Sequence, residues 1–242
     1  MTPTEGPTYK VGDTVLPGDD VTGAVRRGAG DASRTVLGPG LRRTGGQVVV
    51  SRPGVLRMPK NNVFMVDAYQ KRYIPVKEEH VVGVVTNTSS DVFRVDIGAS
   101  ATASLSYLDF EHATKKNRPN IQNGDVVYAK LSAAGRDMEP ELVCVDAHGK
   151  AGKLGKLEDG FLINCSLNLI RKLLSPNCPL LQALGQKWPY ECAFGMNGKV
   201  WIKARSIKET IAIGNAIYES ENMNNDEIKK MCFDLGVVVD SM

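Results

Sequence analysis

Three cations lie close together in one polar run, KKNRPN, as Lys115, Lys116 and Arg118. Three positive charges on one exposed loop can focus a field on a passing phosphate backbone. A solvated loop or a contact with a neighbouring protein subunit would use the same residues, and those readings stay open. A second run, Gly195-Met196-Asn197-Gly198, has two glycines three apart. Between two helices such a loop lets main chain approach phosphates closely, whereas Asn-Gly between two strand-like runs supplies the positive φ of a hairpin turn. The flanks YECAF and KVWIKA are strand-like, so a structural hairpin is the expectation.

Other chemistries find little material. The five cysteines, Cys144, Cys165, Cys178, Cys192 and Cys232, are odd in number and form no Cys-x-x-Cys pair, which reads as buried free thiols. Only His80, His112 and His148 could serve a histidine metal site or a Ser-His-Asp triad. The carboxylates fall singly in turns, as at Gly12-Asp13, Gly18-Asp19 and Gly124-Asp125, where Asp stabilises the turn itself. No phosphate-loop or dinucleotide-binding pattern opens a helix. The expectation is a protein with no catalytic residues, no metal and no cofactor.

The elements that must position these residues form three segments. Residues 1–77 alternate short β-branched runs, Val48-Val49-Val50 and Val63-Phe64-Met65-Val66, with turn formers such as Gly38-Pro39-Gly40 and Gly45-Gly46, which predicts a small Gly-rich β domain. Residues 78–147 hold five strand-like runs, HVVGVVTN, DVFRVDIG, ATASLSYL, GDVVYAKLSAA and PELVCVD, the pattern of a five-stranded OB barrel. Alternation puts Phe93, Val95 and Ile97 on the core face of the second run and Val92, Arg94 and Asp96 on the other. Residues 148–242 read β-α-α-β-β-α-α, a KH-like order. Ser166 should start the first helix, with Leu167, Ile170, Leu173 and Leu174 at helical spacing, and PLLQAL should stop at Gly185. Ile207, Ile211, Gly214 and Tyr218 should form one buried face of the next helix, and Ile228, Met231, Cys232 and Leu235 that of the last.

The three segments differ in charge. The first carries 12 Lys/Arg against 6 Asp/Glu, the middle 6 against 11, and the last 12 against 10. An acidic barrel is poorly suited to gripping phosphates unaided. No apolar run approaches the ~20 residues of a membrane-spanning helix, and the start, MTPTEGPTYKVGD, lacks the basic and apolar stretches of a secretory or transit signal. Cytosol or nucleus is therefore expected.

The chain resembles the cap subunits of the eukaryotic RNA exosome of the exosome component 3 (ribosomal RNA-processing protein 40) type. The resemblance rests on SRPGVLR (51–57), SLSYLDFEHATKKNRPN (104–120), GDVVY (124–128), RDMEPELVCVD (136–146), LNLIRKLL (167–174) and FGMNGKVWIKA (194–204), and spans essentially residues 8–240. It implies an S1-type barrel, a KH-like domain carrying the family's Gly-x-Asn-Gly signature at 195–198, and location in nucleus, nucleolus and cytoplasm. It also implies partners: a ring of RNase PH-like subunits, two other cap proteins, and single-stranded RNA led toward a central channel while other subunits hydrolyse it. Two features depart from typical modules. S1 barrels stack bases on two aromatics and a His, but here those positions fall on Asp91, Arg94 and Ser104, which removes ~1–3 kcal/mol of stacking per base. Arg94 is left as a candidate phosphate contact or a plain solvated residue. The segment between the first two KH-like helices, Ser175-Pro176-Asn177-Cys178-Pro179, has no glycine.

Overall fold

A computed structural model of the protein describes residues 8–28, 35–135, 138–146 and 148–240. Arg136 and Asp137, which open the quoted segment 136–146, lie outside the described residues, as do residues 1–7 of the start read for targeting signals. The chain divides into two compact units, 1–70 and 71–242.

In the first unit the turn formers separate short strands. These are β1 (Thr14–Val15), β2 (Val36–Leu37), β3 (Leu41–Thr44), β4 (Gln47–Val50), β5 (Gly54–Lys60) and β6 (Val63–Asp67). A four-stranded sheet runs β1-β5-β6-β2, and β3-β4 form a separate hairpin turned by Gly45 and Gly46, both at positive φ. One short helix that the turn-rich sequence did not announce, α1 (Thr22–Gly28), buries Ala24 and Val25 in a core with Val15, Val48, Val50, Leu56, Phe64 and Val66.

The second unit begins with the barrel strands β7 (His80–Thr88), β8 (Val92–Asp96), β9 (Ala103–Ser106), β10 (Val126–Gly135) and β11 (Met138–Val143). All five expected strands are present, and β11 pairs with both β9 and β10, which closes the barrel. The alternation in β8 resolves as read: Phe93, Val95 and Ile97 are buried. Phe93 meets Phe110 edge to face at 6.2 Å, so it packs the interior instead of offering a ring to solvent. The barrel also draws on residues outside 78–147: Tyr73 joins its core, and β12 (Gly155–Leu157) pairs with β10.

The KH-like part follows as β13 (Phe161–Asn164), α2 (Leu167–Leu173), α3 (Leu180–Lys187), β14 (Tyr190–Phe194), β15 (Lys199–Ala204), α4 (Ile207–Glu219) and α5 (Asn225–Asp240). The sheet order is β13-β15-β14, all antiparallel. Ser166 caps α2 by accepting the Leu169 N–H. Leu174 follows α2 as its cap and is exposed, not part of the buried stripe. Helix α3 runs through Gly185 to Lys187 and is capped at Trp188. The stop expected at Gly185 fails because Trp188, buried, anchors the extra turn and the Lys187 ammonium reaches the Cys232 and Phe233 carbonyls at 2.7 and 2.8 Å. The face expected on α4 holds only at Gly214, which is buried. Ile207, Ile211 and Tyr218 are exposed, and Ile213, Gly214, Ala216 and Ile217 are buried. On α5 the expected face does point inward, with Ile228 and Cys232 buried and Met231 and Leu235 packed on the same core.

Candidate nucleic-acid interface

The loop between the short turn Tyr107–Asp109 and β10 carries the three-cation cluster. A tight turn fixes its tip. The Thr114 N–H donates to the Asn117 carbonyl at 2.9 Å, the Asn117 N–H donates to Thr114 Oγ1 at 3.0 Å, and the Asn117 amide donates to the His112 carbonyl at 3.2 Å. Lys115 and Lys116 are the central residues of that turn and are exposed. Neither has a hydrogen-bond or ion-pair partner among the described residues.

Arg118 is placed differently. Its guanidinium donates to the Ser90 carbonyl, stands 3.7 Å from the Asp91 carboxylate and covers the Tyr107 ring 4.7 Å from its centre. It ties the loop to the β7–β8 turn. Arg94 is likewise engaged: its Nη1 donates to Glu139 Oε2 at 2.8 Å. The structure therefore brings Lys115, Lys116 and Arg118 into one loop and places Arg94 across the barrel wall, where it is paired with Ser104 in register. Both arginine pairs are solvent-exposed and worth under about 1 kcal/mol, so they oppose release to a phosphate only weakly. At the three positions expected to match the rings of an S1 barrel stand an ion-paired Asp91, an ion-paired Arg94 and a Ser104 whose hydroxyl faces the Pro140 carbonyl at 3.5 Å.

The run Gly195–Gly198 forms the β14–β15 hairpin turn. The Gly195 N–H donates to the Lys199 carbonyl at 2.9 Å, and Gly198 has φ +85°. Its Asn197 does more than turn the chain. Strand β7 pairs with β8 only from Val84 onward, leaving the main-chain groups of His80 and Val82 open on that side. The hairpin fills the vacancy: the Met196 N–H donates to the His80 carbonyl at 2.9 Å. The Asn197 amide then donates to the Val82 and Ile97 carbonyls at 2.7 and 2.8 Å, and its oxygen accepts the Val82 N–H at 3.3 Å. Lys199 adds a cross-contact, its ammonium 2.9 Å from both the carbonyl and the carboxylate of Asp96. These bonds join the KH-like sheet to the barrel wall. No sequence signal announced them, because the partners lie 100 and 115 residues away.

Between α2 and α3 the main chain folds on itself, the Cys178 N–H donating to the Ser175 carbonyl at 3.1 Å, and the Asn225 amide donating to the Asn177 carbonyl. The buried thiols are not prepared as nucleophiles. Burial pushes the Cys144 thiol up to about 12 and that of Cys165 up to about 11, the opposite of an activated thiolate. Burial, then the Lys130 charge, lowers the His80 imidazole below its ordinary range. No three His, Cys, Asp or Glu side chains converge as metal ligands among the described residues.

Comparison with known proteins gives consistent matches along the chain. Residues 12–69 match the family described as mammalian exosome complex component RRP40, N-terminal; residues 73–155 match exosome complex component RRP40, S1 domain; and residues 160–208 match a KH domain. The exosome complex component RRP40 of Drosophila melanogaster is 50% identical over 92% of this chain and 95% of its own length. That of Homo sapiens is 44% identical over 91% and 89%, and that of Schizosaccharomyces pombe 43% identical over 82% and 85%. A solved structure described as an exosome complex RNA-binding protein aligns with a TM-score of 0.57 at 20% identity, covering 69% of this chain and 98% of that one. That likeness shows a shared fold.

Proposed function

The chain belongs to the exosome complex component RRP40 family, and on that premise we propose that it is a non-catalytic cap subunit of the RNA exosome. In this reading it stabilises the ring of RNase PH-like subunits beside the other cap proteins. It guides single-stranded RNA into the channel for 3′-to-5′ processing and degradation of rRNA, mRNA and other RNAs, in nucleus, nucleolus and cytoplasm.

One observation carries the reading. The positions expected for stacking rings hold Asp91, Arg94 and Ser104, two of them ion-paired, while two cations without a partner among the described residues, Lys115 and Lys116, project from a fixed turn on the loop that Arg118 ties to Asp91. A module built to capture RNA alone would stack bases and carry net positive charge. This one offers two phosphate contacts on an acidic body, an arrangement that works when neighbouring subunits supply the rest of a channel and the strand is already threaded. Lys115 and Lys116 are the proposed phosphate contacts, with Arg118 and Arg94 able to join them because their present ion pairs are weak. Met196 and Asn197, with Gly195 and Gly198, keep barrel and KH-like sheet in fixed register for that task.

Purification of the tagged protein from its native source in high salt tests the assignment. RNase PH-like and other cap subunits should co-elute in constant ratio. The untagged chain alone should show no magnesium-dependent RNA hydrolysis. A protein that elutes alone, or hydrolysis abolished by a single carboxylate substitution in this chain, would overturn the reading.

A further inference from the structure

A cleft of about 980 Å³ in the second unit runs along the outer edge of β14. One wall is the barrel surface, with Tyr128 stacked on His80 at 5.7 Å and Leu157 of β12 beside them, and Trp201 of β15 also lines the cleft. Its volume lies at the upper end of ligand-binding pockets. The other wall is main chain. Strand β14 pairs with β15 on one side and with no other strand among the described residues. The pairs Tyr190↔Ala204, Cys192↔Ile202 and Phe194↔Val200, together with the Gly195 N–H to Lys199 carbonyl bond, fix which groups point outward. In an antiparallel ladder hydrogen-bonded pairs alternate with non-bonded ones, so Ala193 and Glu191 bond to β15. The N–H and C=O groups of Tyr190, Cys192 and Phe194 face the cleft. None of these six groups has a partner among the described residues. Beyond Phe194 the same edge is closed by the Met196 N–H to His80 carbonyl bond.

An open strand edge walled by apolar side chains is the template for strand addition. The rim selects what may be added. Glu78, Glu79 and Glu191 line the cleft against one cation, Lys153. Glu79 accepts the Tyr73 hydroxyl at 2.6 Å and Glu78 pairs with Lys130, whereas Glu191 is exposed with no partner among the described residues. A phosphate backbone would meet like charge here. We infer that the β14 edge and the facing barrel wall form a docking site for an extended segment of a protein partner, added as a further strand and carrying Lys or Arg on the face turned to the glutamates. The five residues of β14 span about 17 Å, so the segment has about five residues in register.

The test uses the full isotope-labelled chain with two acetylated, amidated peptides, TVKVRVT and TVEVEVT, and an oligouridylate. TVKVRVT should shift and slow the exchange of the Tyr190, Cys192 and Phe194 amides, and TVEVEVT should bind at least about tenfold more weakly. Cys192→Pro removes an outward N–H that has no partner among the described residues, a change edge strands tolerate. It should leave the melting temperature in place and weaken TVKVRVT about tenfold. Glu191→Lys, on an exposed position, should reverse the preference between the peptides. Absence of protection at the three amides, peptide binding indifferent to both substitutions, protection by oligouridylate in place of peptide, or protection that grows with protein concentration alone would each overturn the inference.

Discussion

Replacing Asn197 by Ala removes three hydrogen bonds at once. The side chain is 8% exposed and serves the Val82 N–H, the Val82 carbonyl and the Ile97 carbonyl, at 3.3, 2.7 and 2.8 Å. No strand can take over, since β8 does not reach Val82. Each bond is worth ~1 kcal/mol net, so about 3 kcal/mol is expected, with the buried Val82 N–H as the costliest group to leave unpaired. For a unit of this size each kcal/mol moves the melting temperature by ~2–4 °C, which gives a fall of about 6–12 °C. Differential scanning calorimetry of the full chain measures it. Amide exchange adds a local readout: the Val82 amide should lose protection while amides inside β10 keep theirs at low denaturant. A fall under about 2 °C, or an unchanged Val82 amide, would refute the claim that Asn197 completes the open edge of β7.

Three further outcomes follow from the same geometry. Gly198→Val places a β-branched residue at φ +85° with its Cβ 2.6 Å from the Cys165 carbonyl oxygen, so thermal stability should fall; a fully stable variant with selectively weaker RNA binding would mean a clamp instead of a turn. Burial works to raise the Asp96 carboxyl, but the Gly98 amide and the Lys199 ammonium outweigh it and hold it below its ordinary range. A depressed folded-state value stabilises above the unfolded pKa of ~3.9 and is lost as pH falls through the folded value. The cost of Asp96→Asn, measured by melting at several pH values, should therefore be present at pH 7 and vanish at strongly acid pH; a cost independent of pH would show that charge is not involved. The isolated chain should bind single-stranded RNA weakly, with a slope of log affinity against log salt near −1.4 for two phosphate contacts at ~0.7 each; tight binding that survives high salt would place an aromatic platform somewhere in the chain.

What the sequence makes legible is the pattern that local physics sets. Alternation identified the inward face of β8, and Asn-Gly between two strand-like runs identified the β14–β15 hairpin, because neighbouring side chains and one positive φ decide both. Helix α4 shows where that logic stops. Its sequence offers one stripe dominated by large apolar residues, Ile207, Ile211, Gly214 and Tyr218, and another, Ile213, Gly214, Ala216 and Ile217, that shares Gly214 with it and is richer in small residues. Size favoured the first. The second is buried because α4 packs on β15 and α5, where small residues permit close approach. The cation cluster was visible as a cluster, but the engagement of Arg118 by Ser90, Asp91 and Tyr107, and of Arg94 by Glu139, depends on contacts 11 to 45 residues apart. The bond between Asn197 and β7 is longer still in sequence. It arises only because β8 peels away from β7 at Val84 and leaves groups that something must satisfy.

Lys115 and Lys116 are the side chains on which the proposed RNA contact most directly depends. Both should be reversed to Glu in the reconstituted complex, leaving Arg118 in place to hold the loop, and degradation of a long single-stranded RNA followed at low and moderate salt. Assembly should be intact, since both side chains are exposed on a turn held by Thr114 and Asn117. Degradation should slow, most at low salt, because exposed charges are screened beyond ~10 Å at 0.1 M ionic strength. Rates unchanged at both salts, with the variant incorporated at full occupancy, would contradict the claim that this loop meets the RNA.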